Sequence, residues 1–190
     1  MQQLFERQTK ELEQLLGNLG SFHEQVTRAS EHLKEAFLKG YNAYVAGNGG
    51  SASQAQHLAE ELIGRYRTDR KPYPMISLTA DGTALTCIGN DFGFSDIFSR
   101  QVEALGKEGD VFVALSTSGN SENILKAVDS ARANGMTVIG FTGTTGKLRE
   151  LADIAIEVPT TKTERMQELH LHAIHLICES FEDTMRDPSL

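Results

Sequence analysis

The period of apolar positions changes near residue 41. Before it the spacing is helical. Phe22, Val26, Ala29, Leu33, Ala36 and Phe37 recur at three- and four-residue intervals, one face of an amphipathic helix. Ser21-Phe22-His23-Glu24 has the hydroxyl-to-carboxylate spacing of a capping box and places the start of that helix. A shorter helix is predicted over residues 3–16. Two amphipathic helices before any strand are more than a small sheet needs to cover one face. They either cap the core or pack against another subunit.

From Tyr41 onward, short apolar runs alternate with helical patterns. The runs are Tyr44-Val45-Ala46, Met75-Ile76-Ser77-Leu78, Val111-Phe112-Val113-Ala114-Leu115, Val138-Ile139-Gly140-Phe141 and Ile154-Ala155-Ile156-Glu157-Val158. Most are continuous rather than alternating, as in strands covered on both faces. Helices between them imply right-handed crossovers. The predicted fold class is therefore α/β: a doubly wound, mainly parallel five-stranded sheet flanked by helices, with an N-terminal helical extension. No repeat or low-complexity linker divides the chain, and its 190 residues suit one domain, 1–190. A final helix is predicted over residues 163–185. Glu164, Gln167, Glu168, Leu171, His175 and Cys178 share one side of it. Met166, Leu169, Ala173, Leu176 and Ile177 share the other, while His170 and His172 are expected at a surface or interface.

Composition narrows the function. The formal net charge is −8, which disfavours nucleic acid and anionic membranes as partners. Two cysteines, Cys87 and Cys178, lie far apart and are expected to be buried thiols rather than a disulfide. The first residues lack a basic stretch followed by an apolar run, so no signal peptide is expected. No run approaches the roughly 18 apolar residues needed to span a bilayer. The expected location is the cytoplasm.

Ligands of parallel sheets sit beyond the carboxyl ends of the strands. After the first run comes Gly47-Asn48-Gly49-Gly50-Ser51-Ala52-Ser53, and after the third comes Ser116-Thr117-Ser118-Gly119-Asn120-Ser121, each leading into a helix. Glycines permit close backbone approach, and hydroxyls at a helix N-terminus suit an anion. Capping alone explains one such loop; two after separate strands favour binding. Neither loop is a Walker motif or a GxGxxG fingerprint, so a small phosphate ester is expected and no nucleotide cofactor. His57, Glu61 and Arg65 recur every four residues and are expected on one helical face, either as a solvated ion-pair stripe or beside the ligand. Two histidines and a carboxylate form a set that zinc accepts, but HExxH is absent and spacing alone carries little weight.

The glycine loop, the segment His57-Leu58-Ala59-Glu60-Glu61-Leu62-Ile63-Gly64-Arg65-Tyr66, Gly89-Asn90-Asp91-Phe92-Gly93-Phe94, the hydroxyl loop and Arg165-Met166-Gln167-Glu168-Leu169-His170 together resemble the sugar isomerase (SIS) domain of bacterial phosphoheptose isomerases. The resemblance spans nearly the whole chain. It implies an aldose–ketose isomerase that converts D-sedoheptulose 7-phosphate to D-glycero-D-manno-heptose 7-phosphate through an enediol, early in ADP/GDP-heptose and lipopolysaccharide biosynthesis. It implies Glu61 and His175 as catalytic groups. Substrate contacts would come from Asn48, Gly49, Gly50, Ser51, Glu61, Arg65, Asn90, Asp91, Ser116, Thr117, Ser118, Ser121, Glu164 and Gln167. It further implies Zn2+ held by His57, Glu61, Gln167 and His175, and a homotetramer with active sites between subunits. Glu164 departs from the Asp common in that family, and Thr79-Ala80-Asp81-Gly82-Thr83 matches no segment securely. The alternatives are a non-enzymatic SIS regulator that binds the replication initiator, an isomerase of another sugar phosphate, and a sugar-phosphate sensor. Retention of Glu61 and His175 argues against the regulator.

Overall fold

The structure, a computed structural model, describes residues 1–184. Helices α1 (Gln2–Leu16) and α2 (Phe22–Leu38) precede strand β1 (Ala43–Gly47). There follow α3 (Gly50–Ile63), β2 (Met75–Ser77), α4 (Gly82–Asp91), a single 3-10 turn (Phe94–Asp96) and α5 (Ser99–Leu105). The chain then alternates β3 (Val111–Leu115), α6 (Glu122–Ala133), β4 (Thr137–Gly143), α7 (Lys147–Leu151), β5 (Ile154–Val158) and α8 (Thr163–Thr184). The sheet order is β2-β1-β3-β4-β5, and every pairing is parallel. All five strands fall on the apolar runs. The predicted last residue of the final helix, Met185, lies outside the described residues.

Side chains alternate between the two faces of the sheet. Val45, Val113, Leu115, Phe141 and Ile156 meet α2, α3 and α8 on one face. Tyr44, Phe112, Ala114 and Val138 meet α5, α6 and α7 on the other. Phe112 and Phe141 are completely buried, and such a side chain contributes roughly 1.5–3 kcal/mol by leaving water. Apolar cover on both faces explains why the runs lack polar alternation.

Several local expectations need correction. Ser21 is the N-cap of α2, but its hydroxyl makes no cap hydrogen bond, so the capping box is not formed. Its ψ of 4° departs from the extended backbone that box requires. Helix α3 stops at Ile63, so Arg65 lies beyond the helix and does not continue the His57–Glu61 face. Cys87 is exposed on α4, because no residue of that helix is buried, whereas Cys178 is buried. His170 is fully buried rather than superficial, and its ring packs edge-on to Phe141. His172 is half-buried and stacks on Phe22. Residues 79–83 become the turn into α4, where the Asp81 carboxylate accepts from the amides of Thr83 and Ala84 at 2.9 and 3.0 Å.

Candidate active site

Strand order reverses between β1 and β3: β2 lies to one side of β1, and β3 leads away to β4 and β5. Two neighbouring strands whose connections depart in opposite directions leave a crevice at their carboxyl ends. The loops after β1 and β3 flank it. They are tied together by Asn48 and Asn123, whose side-chain amides donate to each other at 2.8 and 2.9 Å.

The glycine loop is shaped by close approach. A Cβ on Gly47 would stand 2.6 Å from the Ser51 carbonyl oxygen, and one on Gly50 would stand 2.5 Å from Gln167 Nε2. Gly49 takes a φ of +55°, open to glycine at no steric cost. Ser51 is buried, and Asn48 is half-buried. In the second loop, Ser116 Oγ lies 3.4 Å from Ser118 Oγ and 3.2 Å from Ser121 Oγ. Ser121 is the N-cap of α6, yet its hydroxyl makes no cap bond and turns to Ser116 instead. Capping, the bland use of such a hydroxyl, is therefore not its role here. Thr117 is half-buried and Ser118 exposed. The first amides of α6 have no partner within the helix and carry the positive end of its dipole. Hydroxyls and amides converging there suit a phosphate.

Helices α3 and α8 bring the titratable groups together. His57 Nε2 lies 3.2 Å from Glu61 Oε1, one helical turn on. The His175 ring, from α8, stands 5.3 Å from the His57 ring and 6.0 Å from Tyr66, centroid to centroid. Gln54 donates to the Gln167 carbonyl at 2.6 Å and pins the start of α8 to α3. Burial first, then the Glu61 carboxylate, pushes the Cys178 thiol up to about 12. Such a thiol is inert.

The predicted residues thus divide. His57, Glu61 and His175 gather between α3 and α8, whereas the Gln167 amide lies against Gly50 at the start of α3, two turns before His57. Asn48, Gly49, Gly50 and Ser51 share the crevice with Ser116, Thr117, Ser118 and Ser121. Arg65 is exposed, as is Glu164 in the first turn of α8. Asn90 and Asp91 end α4, both exposed, with Asn90 Nδ2 donating to Asp91 Oδ1 at 2.7 Å. Among the described residues of one copy, no hydrogen bond or ion pair ties that pair to the α3–α8 group. Among the described residues, the tightest metal-competent group is His57, Glu60 and Glu61, whose ligand atoms all lie within 4.8 Å of one another. Glu60 stands beside His57 and Glu61 in the sequence but outside the ligand set that the resemblance implies, and neither Gln54 nor Asn123 is expected from sequence. Gln54 lies one turn before His57, which was the available signal; Asn123 looks like any helix-start polar residue.

Comparison with known proteins agrees with this geometry. A family model described as SIS domain matches residues 8–143. A phosphoheptose isomerase of Rhodospirillum rubrum is 48% identical over 168 residues, covering 88% of this chain and 89% of that one. The chain belongs to the phosphoheptose isomerase family. The structure of a phosphoheptose isomerase from Neisseria gonorrhoeae superposes with a TM-score of 0.82 at 39% identity, over 93% of this chain and 92% of that one. One from Francisella tularensis gives 0.85 at 35% identity, over 94% of each. The family is thus one of isomerases, and the five-stranded fold with its N-terminal helices is common to it.

Proposed function

We propose that the protein interconverts D-sedoheptulose 7-phosphate and D-glycero-D-manno-heptose 7-phosphate through an enediol, supplying heptose for a nucleotide-activated sugar and lipopolysaccharide in the cytoplasm. One observation carries the reading. Glu61, His57 and His175 converge from two helices at 3.2 and 5.3 Å, in the fold whose hydroxyl-rich loop sits at the switch point. The phosphate binds Ser116, Thr117, Ser118 and Ser121, which fixes the reacting carbons. Glu61 and His175 share the proton transfers, one at carbon and one at oxygen. Asn48, Gly49, Gly50, Ser51 and Gln167 line the sugar. Arg65, Asn90, Asp91 and Glu164 complete the contacts when subunits assemble.

The donor set fits a zinc ion. The His57 imidazole and the Glu61 carboxylate stand together, the His175 ring lies 5.3 Å from that of His57, and the Gln167 amide lies over Gly50 because a glycine leaves it room. His57, Glu61, Gln167 and His175 would hold the ion, which when bound polarises the substrate carbonyl. Chelation should lower activity and thermal stability together, and zinc at stoichiometric amounts should restore both. An apoprotein with full activity and an unshifted melting temperature would remove zinc from the reading.

Replacing Glu61 tests the chemistry. Glu61→Gln should reduce turnover by at least about 100-fold, the low end of acid–base catalysis, while calorimetric binding of substrate persists. Undiminished turnover would overturn the assignment.

A further inference from the structure

Arg70 lies in the segment between α3 and β2, and its side chain is wholly buried. No role above uses it. Its guanidinium reaches back over the end of α3, donating to the carbonyls of Glu61 at 2.6 Å, Leu62 at 2.9 Å and Lys71 at 3.3 Å. The last carbonyls of a helix have no intrahelical partner, and a cation there complements the dipole. Gly64, with φ −80°, does not form the left-handed cap that usually meets them, so Arg70 does. Its plane also packs over the Tyr73 ring at 5.0 Å.

The other end of the guanidinium meets α8. Arg70 Nε stands 3.4 Å from Glu182 Oε1, and that carboxylate is buried as well. Glu182 accepts from the amides of Arg67 and Thr68 at 3.4 and 3.0 Å, and from the Thr68 hydroxyl. Burial alone would push its carboxyl up; the Thr68 and Arg67 donors and the Arg70 charge outweigh burial and hold it below the ordinary value. A buried ion pair is a poor stability device, since desolvation offsets much of the attraction. Its two ends, however, reach the two helices of the candidate site, by hydrogen bonds at α3 and by an ion-pair contact without a hydrogen bond at α8. Arg70 bonds the carbonyl of Glu61 itself, and Glu182 follows His175 by two turns on α8.

We propose that Arg70 and Glu182 are positioning residues that set the separation between Glu61 on α3 and His175 on α8. The proposal rests on the isomerase reading, so its test has one arm independent of substrate. Arg70→Lys keeps the charge but loses the fork, Glu182→Gln keeps the shape but loses the charge, and the double variant Arg70→Met/Glu182→Met refills the space without polar atoms. In each folded variant kcat on sedoheptulose 7-phosphate should fall roughly 10- to 100-fold with KM little changed, as expected for displaced catalytic groups. The double variant should regain melting temperature but not kcat. Crystal structures of the variants should show the His57–His175 ring separation moved from 5.3 Å. Wild-type kcat in the variants, a loss confined to KM, or failure of all three to fold would overturn the proposal. If the wild type itself does not turn over this substrate, the isomerase reading fails, and the ring separation alone decides the clamp: unchanged, it sinks the idea.

Discussion

His170 shows what one side chain can cost and contribute. It is fully buried, with Nε2 donating to the Thr142 carbonyl at 3.4 Å and Nδ1 without a hydrogen-bond partner among the described residues. Burial pushes its imidazole down from 6.5 to about 4, against a smaller opposing effect of the Thr142 hydrogen bond. The folded protein therefore keeps His170 neutral where the unfolded chain takes up a proton. Stability from this group is complete above pH 6.5, is lost as pH falls through the window to about 4, and changes no further below it. The loss amounts to about 3 kcal/mol, from the size of the shift. Urea unfolding followed from pH 7 to pH 4 should show a slope that His170→Leu flattens. Equal slopes in the two proteins would show that His170 does not stay neutral in the fold. Gly119 carries a different constraint. At φ +63°, a Cβ would meet the Thr145 carbonyl oxygen at 2.8 Å and the Gly146 Cα at 3.0 Å. Backbone cannot step aside as a side chain can, so the hydroxyl-rich loop requires glycine there for shape as well as for torsion.

Among the elements, α3 and α4 end and begin by different means. Helix α3 ends on a cation delivered from the following segment, and that ending separates Arg65 from the face of His57 and Glu61. Helix α4 begins on Asp81, whose carboxylate satisfies two first-turn amides, and it carries Asn90 and Asp91 at its far end. No residue of α4 is fully buried, and only Leu85 and Ile88, both partly exposed, pack it against the core. Its cap then matters more than usual. Asp81→Ala should cost about 1 kcal/mol and show as a lower melting temperature. If Asn90 and Asp91 contact substrate, KM should also rise; a variant with wild-type stability would mean that neighbours outside the chain hold α4.

On the scale of the molecule, the same argument applies to α1. It has no buried residue, yet Leu4, Phe5 and Leu16 are 46%, 59% and 45% exposed. Leu12 and Leu15 lie against the core, which orients the helix without burying it. An apolar face left in water on an amphipathic helix is stabilised by a partner. The subunit assembly proposed above, which the family resemblance implies is a homotetramer, would supply one. Native mass spectrometry of the full chain should then give four copies, and deletion of residues 2–16 should give smaller species. A full chain that stays monomeric at assay concentrations would remove the subunit interface from the site, leaving Asn90 and Asp91 without a role. Among the described residues, no helix is long and apolar enough to cross a membrane.

The strands, the helices and their parallel arrangement were legible in the chain itself. Apolar period is a local property, and a continuous run such as Val111–Leu115 has few structures other than a doubly covered strand. The two loops were legible for the same reason, since glycine and hydroxyl clusters must follow strands to be useful. Tertiary structure decided what no window of sequence contains. Ser21 has the residues of a capping box, but the backbone entering α2 does not take the geometry. His170 reads as one more polar helical residue; only the approach of β4 buries it. Arg70 and Glu182 are 112 positions apart, and nothing about either marks it as half of a buried pair that spans α3 and α8. Contacts of that kind depend on the angle and separation at which two helices lie on the sheet. Those are set by the whole core at once, so the relation between Glu61 and His175 belongs to the fold and not to any segment of it.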